Sequence, residues 1–399
     1  PLLFIGLITV AGFVIFGSST KLYFVADDFT WIRWAATTYI KDIPGFFTDA
    51  TGFFYRPLSK LYFMTAYSLF WFKPGGYHLV NIILHVVSTV LVYLIVRQTV
   101  KKTIVAVGSS LLFLVMAIHH ENVFWISGIS SLAGASSALL SIYVFLRFIE
   151  ARGWIRWVFF MFSYVFMGTS LLWYEGMLGM PMVIAASVLL FGMKRDRWIL
   201  LPYLFLIPLY WWLRTWANAL TPEGNYGINF VALPFNIVGN GFGYIAMSLF
   251  GPHVADTFWN LRELVKTHPV PTAIIVGTLM VCIVGTWRRY RVSVMRNGPV
   301  WFWISVFIFS LVPYLGLGNI AERYGYIASS AVAVLTVFGL LRVRKIAAVV
   351  VLVVLVWINW RELGVVRHEW EQASVISQNI LDTSRKLYFP LEEQTNIII

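Results

Sequence analysis

Long apolar runs, separated by short polar loops, recur along almost the whole sequence. A helix needs about 20 apolar residues to cross about 30 Å of hydrocarbon, and a backbone in lipid must satisfy its own hydrogen bonds. These runs therefore predict an all-α, multi-pass integral membrane protein with about eleven transmembrane helices. The predicted spans are residues 1–17, 78–96, 104–118, 129–146, 155–173, 176–192, 198–216, 270–287, 299–316, 324–341 and 346–360.

The composition excludes the other broad classes. Of the 399 residues, 59% are hydrophobic and only 12% are charged, whereas soluble domains carry about 25% charged residues. A chain this apolar has too few polar side chains to cover a surface that faces water, which excludes soluble, disordered and fibrous proteins. The single cysteine, Cys282, excludes a disulfide framework and any cysteine-based metal site.

Positive charges collect in five predicted loops that all lie on the same side of the membrane. The cations of these loops are Arg97, Lys101, Lys102, Arg147, Arg152, Arg156, Lys194, Arg195, Arg197, Arg288, Arg289, Arg291, Arg296, Arg342, Arg344 and Lys345. The short loops of the opposite side, at 119–128, 174–175 and 317–323, contain one cation, Arg323. Because Lys and Arg favour the cytosolic side, the contrast places the N-terminus in the cytosol and the C-terminus outside. The net charge of +12 is therefore a signal of topology, and we expect no nucleic-acid partner.

Two further apolar stretches, 57–72 and 230–251, would each reverse the orientation of everything downstream if they crossed the membrane. The charge pattern therefore predicts that both are helices at the outer surface, where their aromatic residues suit the interface. The outer side then holds a long first loop at 18–77 and a second at 217–269. The tail, 361–399, is expected to begin as a charged helix and to lead into a soluble domain.

Nearly all ionisable residues beside the predicted outer helix ends are candidates for one site. They are Asp27, Asp28, Arg56, His119, His120, Glu121, Glu175, Glu322 and Arg323. Any one of them could be an ordinary loop charge, but an ionisable group near membrane depth is costly and marks a functional candidate. The loops at 119–128 and 174–175 are too short to hold charges far from the bilayer, which favours a shared site.

The residue types in this set suggest a chemistry. Adjacent Asp27 and Asp28 could supply a general base whose pKa is raised by its neighbour, or they could hold a divalent cation through oxygen ligands. Arg56 and Arg323 suit phosphate, because a guanidinium binds it as a planar fork. A base beside a phosphate clamp at a membrane surface indicates transfer from a lipid-linked phosphate donor.

Other polar and small residues fit structural roles. His78, Asn81 and His85 share one helical face and predict hydrogen bonds between helices. His78 lies near the outer surface and is also kept as a site candidate. The small-residue run 128–138 predicts a face at which helices pack closely.

A series of motifs runs in a fixed order along the chain. It reads Ala26-Asp27-Asp28-Phe29, Tyr55-Arg56-Pro57-Leu58, Gly76-Tyr77-His78-Leu79-Val80-Asn81-Ile82-Ile83-Leu84-His85, His120-Glu121-Asn122-Val123-Phe124-Trp125-Ile126-Ser127-Gly128, Tyr174-Glu175-Gly176 and Ala321-Glu322-Arg323-Tyr324-Gly325-Tyr326. The series resembles the GT-C superfamily of membrane glycosyltransferases, and most closely its O-mannosyltransferase-like (PMT/TMTC-type) families. The resemblance covers roughly residues 20–330.

The resemblance implies a function for a transmembrane catalytic domain at 1–360. A sugar would move, with inversion, from a polyprenyl-phosphate donor such as a dolichyl-phosphate sugar to an acceptor hydroxyl at the outer face. The acceptor would be a protein, a lipid or a glycan. The donor lipid would lie in a groove between helices, in contact with membrane lipids.

The resemblance also implies roles for individual residues. Asp28 or Asp27 would be the catalytic base, with Asp28 ranked first, and Arg56 and Arg323 would hold the phosphate leaving group. The other residues assigned to substrate binding are Tyr55, His78, His120, Glu121, Glu175 and Glu322. No definite cofactor is predicted, and the residues themselves leave a divalent cation at the aspartate pair as an alternative.

Two other functions use similar charges. A transporter or flippase for lipid-linked sugars would use them as a gate, but it should show matched halves or polar groups near the middle of the membrane. An O-antigen ligase or polymerase would also use outer arginines and histidines, but it would rest on a large central outer loop. The acidic pair in the first outer loop favours the glycosyltransferase.

Overall fold

The predicted all-α architecture is present in the computed structural model. The structure describes residues 2–50, 52–192, 194–220, 230, 232–257, 267, 297–342 and 344–388. Fifteen α-helices within the described ranges are numbered in chain order. They are α1 Leu2–Phe16, α2 Asp27–Ala36, α3 Ile43–Thr48, α4 Pro57–Phe70, α5 Pro74–Thr99, α6 Thr103–Val115, α7 His120–Phe124, α8 Ile129–Glu150, α9 Trp154–Trp173, α10 Met180–Phe191, α11 Leu200–Trp216, α12 Leu233–Phe250, α13 Gly298–Leu315, α14 Tyr326–Leu340 and α15 Lys345–Tyr388.

Seven helices of the described part are long and apolar enough to cross a membrane, which makes the chain a multi-pass membrane protein. They are Leu2–Lys21, Pro74–Thr99, Ile126–Glu150, Trp154–Trp173, Gly298–Leu315, Glu322–Leu340 and Lys345–Lys386. Thr103–Val115 and Ala117–Phe124 form an eighth span if the pair is counted as one, with a bend of 53°. All eight coincide with predicted spans.

The other three predicted spans do not coincide with span-length helices of the described part, so the count of eleven transmembrane helices stays a prediction. Residues 176–192 coincide with the shorter apolar helix Glu175–Phe191. Residues 198–216 coincide with α11, which has 17 residues and carries Pro208 and Arg214. The span predicted at 270–287 lies outside the described residues.

The two stretches predicted at the surface are helical. Residues 57–72 form α4, whose 14 residues are too few to cross the hydrocarbon. Within 230–251, Leu233–Phe250 form α12, which is not among the span-length apolar helices of the described part. The amide nitrogens of Asn236 and Asn240 in α12 donate to the carbonyls of Gly316 (3.2 Å) and Leu317 (3.0 Å), just after α13. Their place at the interface stays a prediction.

Small and polar side chains join the central helices as predicted. On α5, Asn81 Nδ2 donates to the carbonyl of Trp125 (2.9 Å), and His85 Nδ1 lies 2.8 Å from the hydroxyl of Tyr326 on α14. The small-residue run 128–138 is almost wholly buried. A Cβ atom at Gly134 would lie 3.0 Å from Cβ of Tyr174, so α8 and the end of α9 are in close contact. The packing face at 128–138 is confirmed, and so are the hydrogen bonds between helices predicted for Asn81 and His85. Both ring nitrogens of His78 are buried without a hydrogen-bond partner among the described residues, so the prediction is not met at that position.

The last helix is longer than any bilayer requires. At 1.5 Å per residue, the 44 residues of α15 extend about 66 Å. Residue 360, the predicted end of the membrane domain, lies inside this helix. Beyond it, the indole nitrogen of Trp370 donates to His120 Nδ1 (3.0 Å), and Ser374 Oγ accepts from the backbone N–H of Tyr23 (2.6 Å). These contacts tie α15 to α7 and to the segment after α1.

Candidate active site

One cavity of about 600 Å³, called the main cavity below, gathers charged residues from distant parts of the chain. Its volume lies in the range of small-molecule sites. The charged residues that line it are Asp27, Arg56, Glu175, Arg214 and Arg323. Four of these five are sequence candidates, so the expectation that they would meet at one place agrees with this cavity.

The aspartate pair stands at the start of α2, after a strained residue. Ala26 has φ 53° and ψ −122°, a left-handed conformation that disfavours a Cβ. The resulting turn sends the two carboxylates in different directions. Asp27 is exposed and lines the main cavity, whereas Asp28 is 1% exposed.

Asp28 holds two chain segments together. Its Oδ1 accepts hydrogen bonds from the backbone N–H (2.8 Å) and the hydroxyl of Ser127, and its Oδ2 accepts from the backbone N–H of Val25 (3.0 Å). Burial raises the pKa of the Asp28 carboxyl to about 7, against the opposing effect of these hydrogen bonds. Asp27 therefore faces the main cavity, whereas both oxygens of Asp28 are bound by the protein itself.

Arg56 is held by Glu175, which lies 119 residues away in the chain. Arg56 Nε donates to Glu175 Oε2 (2.7 Å), and Arg56 Nη2 donates to Glu175 Oε1. The guanidinium carbon also lies 4.0 Å from the ring centre of Phe54 and 4.6 Å from that of Tyr174. A bidentate pair between two aromatic rings fixes the plane of the guanidinium.

Arg323 is held by a different glutamate, Glu121. Its Nη1 donates to Glu121 Oε1 (2.9 Å), and its backbone N–H donates to Glu121 Oε2 (2.9 Å). The guanidinium carbon lies 5.0 Å from the ring centre of Tyr324 and 5.7 Å from that of Trp125. Glu121 therefore holds Arg323 in place and does not itself line the main cavity.

A stack of tyrosines connects the two arginines. The rings of Tyr314 and Tyr324 are parallel within 3°, with centres 4.0 Å apart, and Tyr174 stacks on Tyr314 at 6.4 Å. Arg56 lies on Tyr174 at one end of this tyrosine stack, and Arg323 lies on Tyr324 at the other. The tyrosine stack thus forms a continuous row of aromatic rings between the two guanidinium groups.

The motif Tyr174-Glu175-Gly176 has a separate reason for each residue. Tyr174 belongs to the tyrosine stack and Glu175 binds Arg56. A Cβ at residue 176 would lie 1.4 Å from the hydroxyl oxygen of Tyr314, so only glycine fits there. The motif is therefore required by packing as well as by charge.

The sequence analysis missed Arg214 and Tyr210, which belong to α11 and line the main cavity. Arg214 donates to the carbonyls of Phe53 and Leu220, and the hydroxyl of Tyr210 donates to the carbonyl of Tyr55 (3.2 Å). Both residues hold the segment that carries Arg56. The sequence did contain a signal for Arg214, because an arginine inside an apolar run is costly and marks a functional candidate.

Several predicted site residues lie away from the main cavity. Tyr55 is buried and donates its hydroxyl to the carbonyl of Phe47 (3.0 Å). His78 is 1% exposed inside α5, and His120 contacts Trp370. None of these three, nor Glu322, lines the cavity. Their assignment to substrate binding stays a prediction.

Ser127, Ser130, Ser131 and four tyrosines add polar groups to the cavity wall, and an apolar part is contributed by α10, α11, α13 and the segments beside them. It includes Leu178, Met182, Ile207, Trp211, Phe309, Val312, Pro313 and Leu317. A ligand with a charged head and a hydrocarbon tail would match this division between a polar end and an apolar groove.

The described residues contain no group of three or more His, Cys, Asp or Glu side chains arranged to hold a metal ion. Both Asp28 oxygens accept hydrogen bonds, so this carboxylate is engaged by the protein itself. A divalent cation at the aspartate pair therefore stays a prediction from the sequence.

The fold and the main cavity define a multi-pass helical membrane protein with a charged, aromatic-lined site. Comparison with curated proteins adds a partial, distant similarity to TMTC-type protein O-mannosyl-transferases. The chain is 35% identical over 100 residues to Protein O-mannosyl-transferase Tmtc1 of Drosophila melanogaster, across 25% of this chain and 12% of that protein. It is 30% identical over 123 residues to TMTC2 of Homo sapiens (30% of this chain, 15% of that protein) and 36% over 99 residues to human TMTC3 (25% and 10%).

These matches confirm the resemblance to TMTC-type proteins predicted from the motifs. The matched segments span only 10–15% of the length of the relatives. No family model matches the chain, and no solved structure matches it.

Proposed function

We propose that the protein is a membrane glycosyltransferase that moves a sugar from a polyprenyl-phosphate donor to an acceptor hydroxyl at the outer face. The observation that carries the proposal is the main cavity, in which an exposed carboxylate, Asp27, faces the same space as Arg56 and Arg323. The similarity to protein O-mannosyl-transferases supports a mannose donor and a protein acceptor.

Asp27 is the general base of the proposed reaction. The acceptor oxygen gives its proton to the Asp27 carboxylate and forms a bond to the anomeric carbon of the sugar. The bond between that carbon and the phosphate oxygen breaks, and its electron pair stays on the polyprenyl phosphate. Attack opposite the leaving group inverts the configuration of the anomeric carbon.

Arg56 and Arg323 stabilise the phosphate as it leaves. A guanidinium has five N–H donors, and Glu175 takes two of those of Arg56, so donors remain for phosphate oxygens. The glutamates fix the arginines before the substrate arrives, and such preorganised charge lowers the barrier without rearrangement. The polyprenyl tail extends along the apolar groove between α10, α11 and α13.

The proposal is tested by transfer from radiolabelled polyprenyl-phosphate sugars to a panel of acceptors, with purified protein. We expect Asp27→Asn to lower turnover at least about 100-fold, because general-base catalysis contributes that much. Asp256→Asn removes the same charge from an exposed position outside the cavity and should leave turnover unchanged. A loss of less than tenfold in Asp27→Asn would refute the base assignment.

A vesicle assay run in parallel separates the transferase from a transporter. Wild-type protein that transfers no sugar to any acceptor but moves the labelled lipid across the bilayer would establish the flippase instead. A chelator in the transfer assay tests the divalent cation, since loss of turnover that added metal restores would show that one is required.

A further inference from the structure

A second cavity, of about 290 Å³, lies where α5 and α8 end, and it is called the basic cavity below. Its polar lining includes Tyr93, Arg97, Gln98, Lys101, Arg147 and Glu150. It shares no lining residue with the main cavity. The functions discussed above therefore leave it unexplained.

The charges of the basic cavity favour an anion. Three cations, Arg97, Lys101 and Arg147, stand against a single carboxylate, Glu150. Arg147 Nη1 lies 3.5 Å from Glu150 Oε2, and both side chains are about half exposed, so this pair is only weakly engaged. A phosphate group would offset part of the remaining positive charge and would accept hydrogen bonds from the arginines.

Gln98 shows that the basic cavity is more than a charged surface. Its side-chain nitrogen and oxygen are both buried, and neither has a hydrogen-bond partner among the described residues. Buried amides are almost always hydrogen-bonded. A ligand that combines a phosphate oxygen with a hydroxyl or ammonium group would satisfy the amide nitrogen and the amide oxygen together.

Lys101 provides a second, independent observation. Its φ is +59°, a left-handed conformation that a lysine rarely adopts. Strained residues of this kind concentrate at ligand sites and switch regions. The turn directly after α5 brings the Lys101 side chain to the cavity instead of continuing the helix.

The position of the basic cavity indicates where the phosphate comes from. The candidate spans Pro74–Thr99 and Ile126–Glu150 contain 26 and 25 residues. At 1.5 Å per residue each extends about 38 Å, which exceeds the roughly 30 Å of hydrocarbon. Their ends therefore lie at the depth of lipid headgroups. We propose that the basic cavity binds the phosphate of an anionic phospholipid whose headgroup also carries a hydrogen-bond donor.

Lipid titration of the full chain tests this proposal. Protein in phosphatidylcholine nanodiscs is followed by native mass spectrometry and by thermal unfolding as phosphatidylglycerol is added, and inorganic phosphate is added in a separate arm. We expect phosphatidylglycerol to bind and to raise the unfolding temperature, and inorganic phosphate to have little effect. A response to inorganic phosphate equal to that for the lipid would overturn the lipid as the source.

Variants distinguish a built site from diffuse surface charge. Arg97→Gln and Gln98→Leu should each weaken phosphatidylglycerol binding about tenfold, since each removes a hydrogen bond to the lipid. Glu150→Gln should strengthen it by removing the competing carboxylate. Arg152→Gln, an exposed cation of the same loop outside the cavity, is the matched control and should bind as the wild type does.

The pattern across these variants decides the outcome. Equal losses in Arg97→Gln and Arg152→Gln, with none in Gln98→Leu, would overturn the proposal in favour of general attraction to anionic lipid. Thermal unfolding in phosphatidylcholine alone checks that each variant is folded. If Arg97→Gln does not fold, Lys101→Gln replaces it, because Lys101 also lines the basic cavity and is exposed.

Discussion

The buried carboxyl of Asp28 gives a prediction in which the sign of a pH effect is decisive. Asp28→Asn keeps the shape of the side chain, and its amide oxygen can still accept from Ser127. Its amide nitrogen cannot accept from the backbone N–H of Val25, which now reaches Asp28 Oδ2 at 3.0 Å. An unsatisfied buried donor costs roughly 1–3 kcal/mol, so we expect a loss of that size in the free energy of unfolding at pH 5.

The size of this loss should shrink as the pH rises. The pKa of Asp28 is raised from 3.8 to about 7 in the folded protein, mainly by burial. Between these values the folded state binds a proton that the unfolded state releases, so wild-type stability falls as pH increases. At about 1.4 kcal/mol per unit of pKa, the shift corresponds to about 4 kcal/mol in all, which is lost as the pH rises from about 4 to about 7. The asparagine variant lacks this ionisation and escapes the loss.

Denaturant titration in mixed micelles at pH 5, 6, 7 and 8 measures the difference between wild type and Asp28→Asn. We expect the destabilisation by Asp28→Asn to decrease steadily, and to vanish or reverse near pH 8. Asp27→Asn, at the neighbouring exposed position, is the matched control, and its effect on stability should be small. A difference that grows with pH would show that Asp28 is a stabilising carboxylate with a lowered pKa, and would refute the reasoning.

Three further changes probe the site. Gly176→Ala places a Cβ where the Tyr314 hydroxyl lies and should cost about 1–3 kcal/mol of stability and raise KM for the donor; unchanged melting would contradict the packing. Arg56→Lys keeps the charge but loses the two-bond contact with Glu175 and should lower transfer at least about tenfold, whereas equal activity would show that charge alone suffices. Ala26→Gly relieves φ 53° and should add about 1 kcal/mol of stability by denaturant titration; a loss would mean that the turn is unstrained.

The sequence predicted the class of the protein because the relevant signals are local. An apolar run is recognised within about 20 residues. Seven predicted spans coincide with span-length helices of the described part, and an eighth coincides with the bent pair Thr103–Val115 and Ala117–Phe124. The motifs also identified Arg56, Glu175, Glu121 and Arg323 as a set. Their pairing could not be predicted, because Arg56 and Glu175 are 119 residues apart, and Glu121 and Arg323 are 202 residues apart.

The choice between Asp27 and Asp28 shows what only the tertiary structure decided. The side chains of two adjacent residues at the start of a helix point in different directions. The dipeptide alone does not show which of the two is buried against the protein. Ser127, in the short turn directly before α8, donates to the Asp28 carboxylate, whereas the Asp27 carboxylate faces the main cavity. The sequence by itself determined the residue types of the site. Their partners depend on which distant segments pack together, and only the tertiary structure decides this, because the packing free energy is shared by the whole bundle.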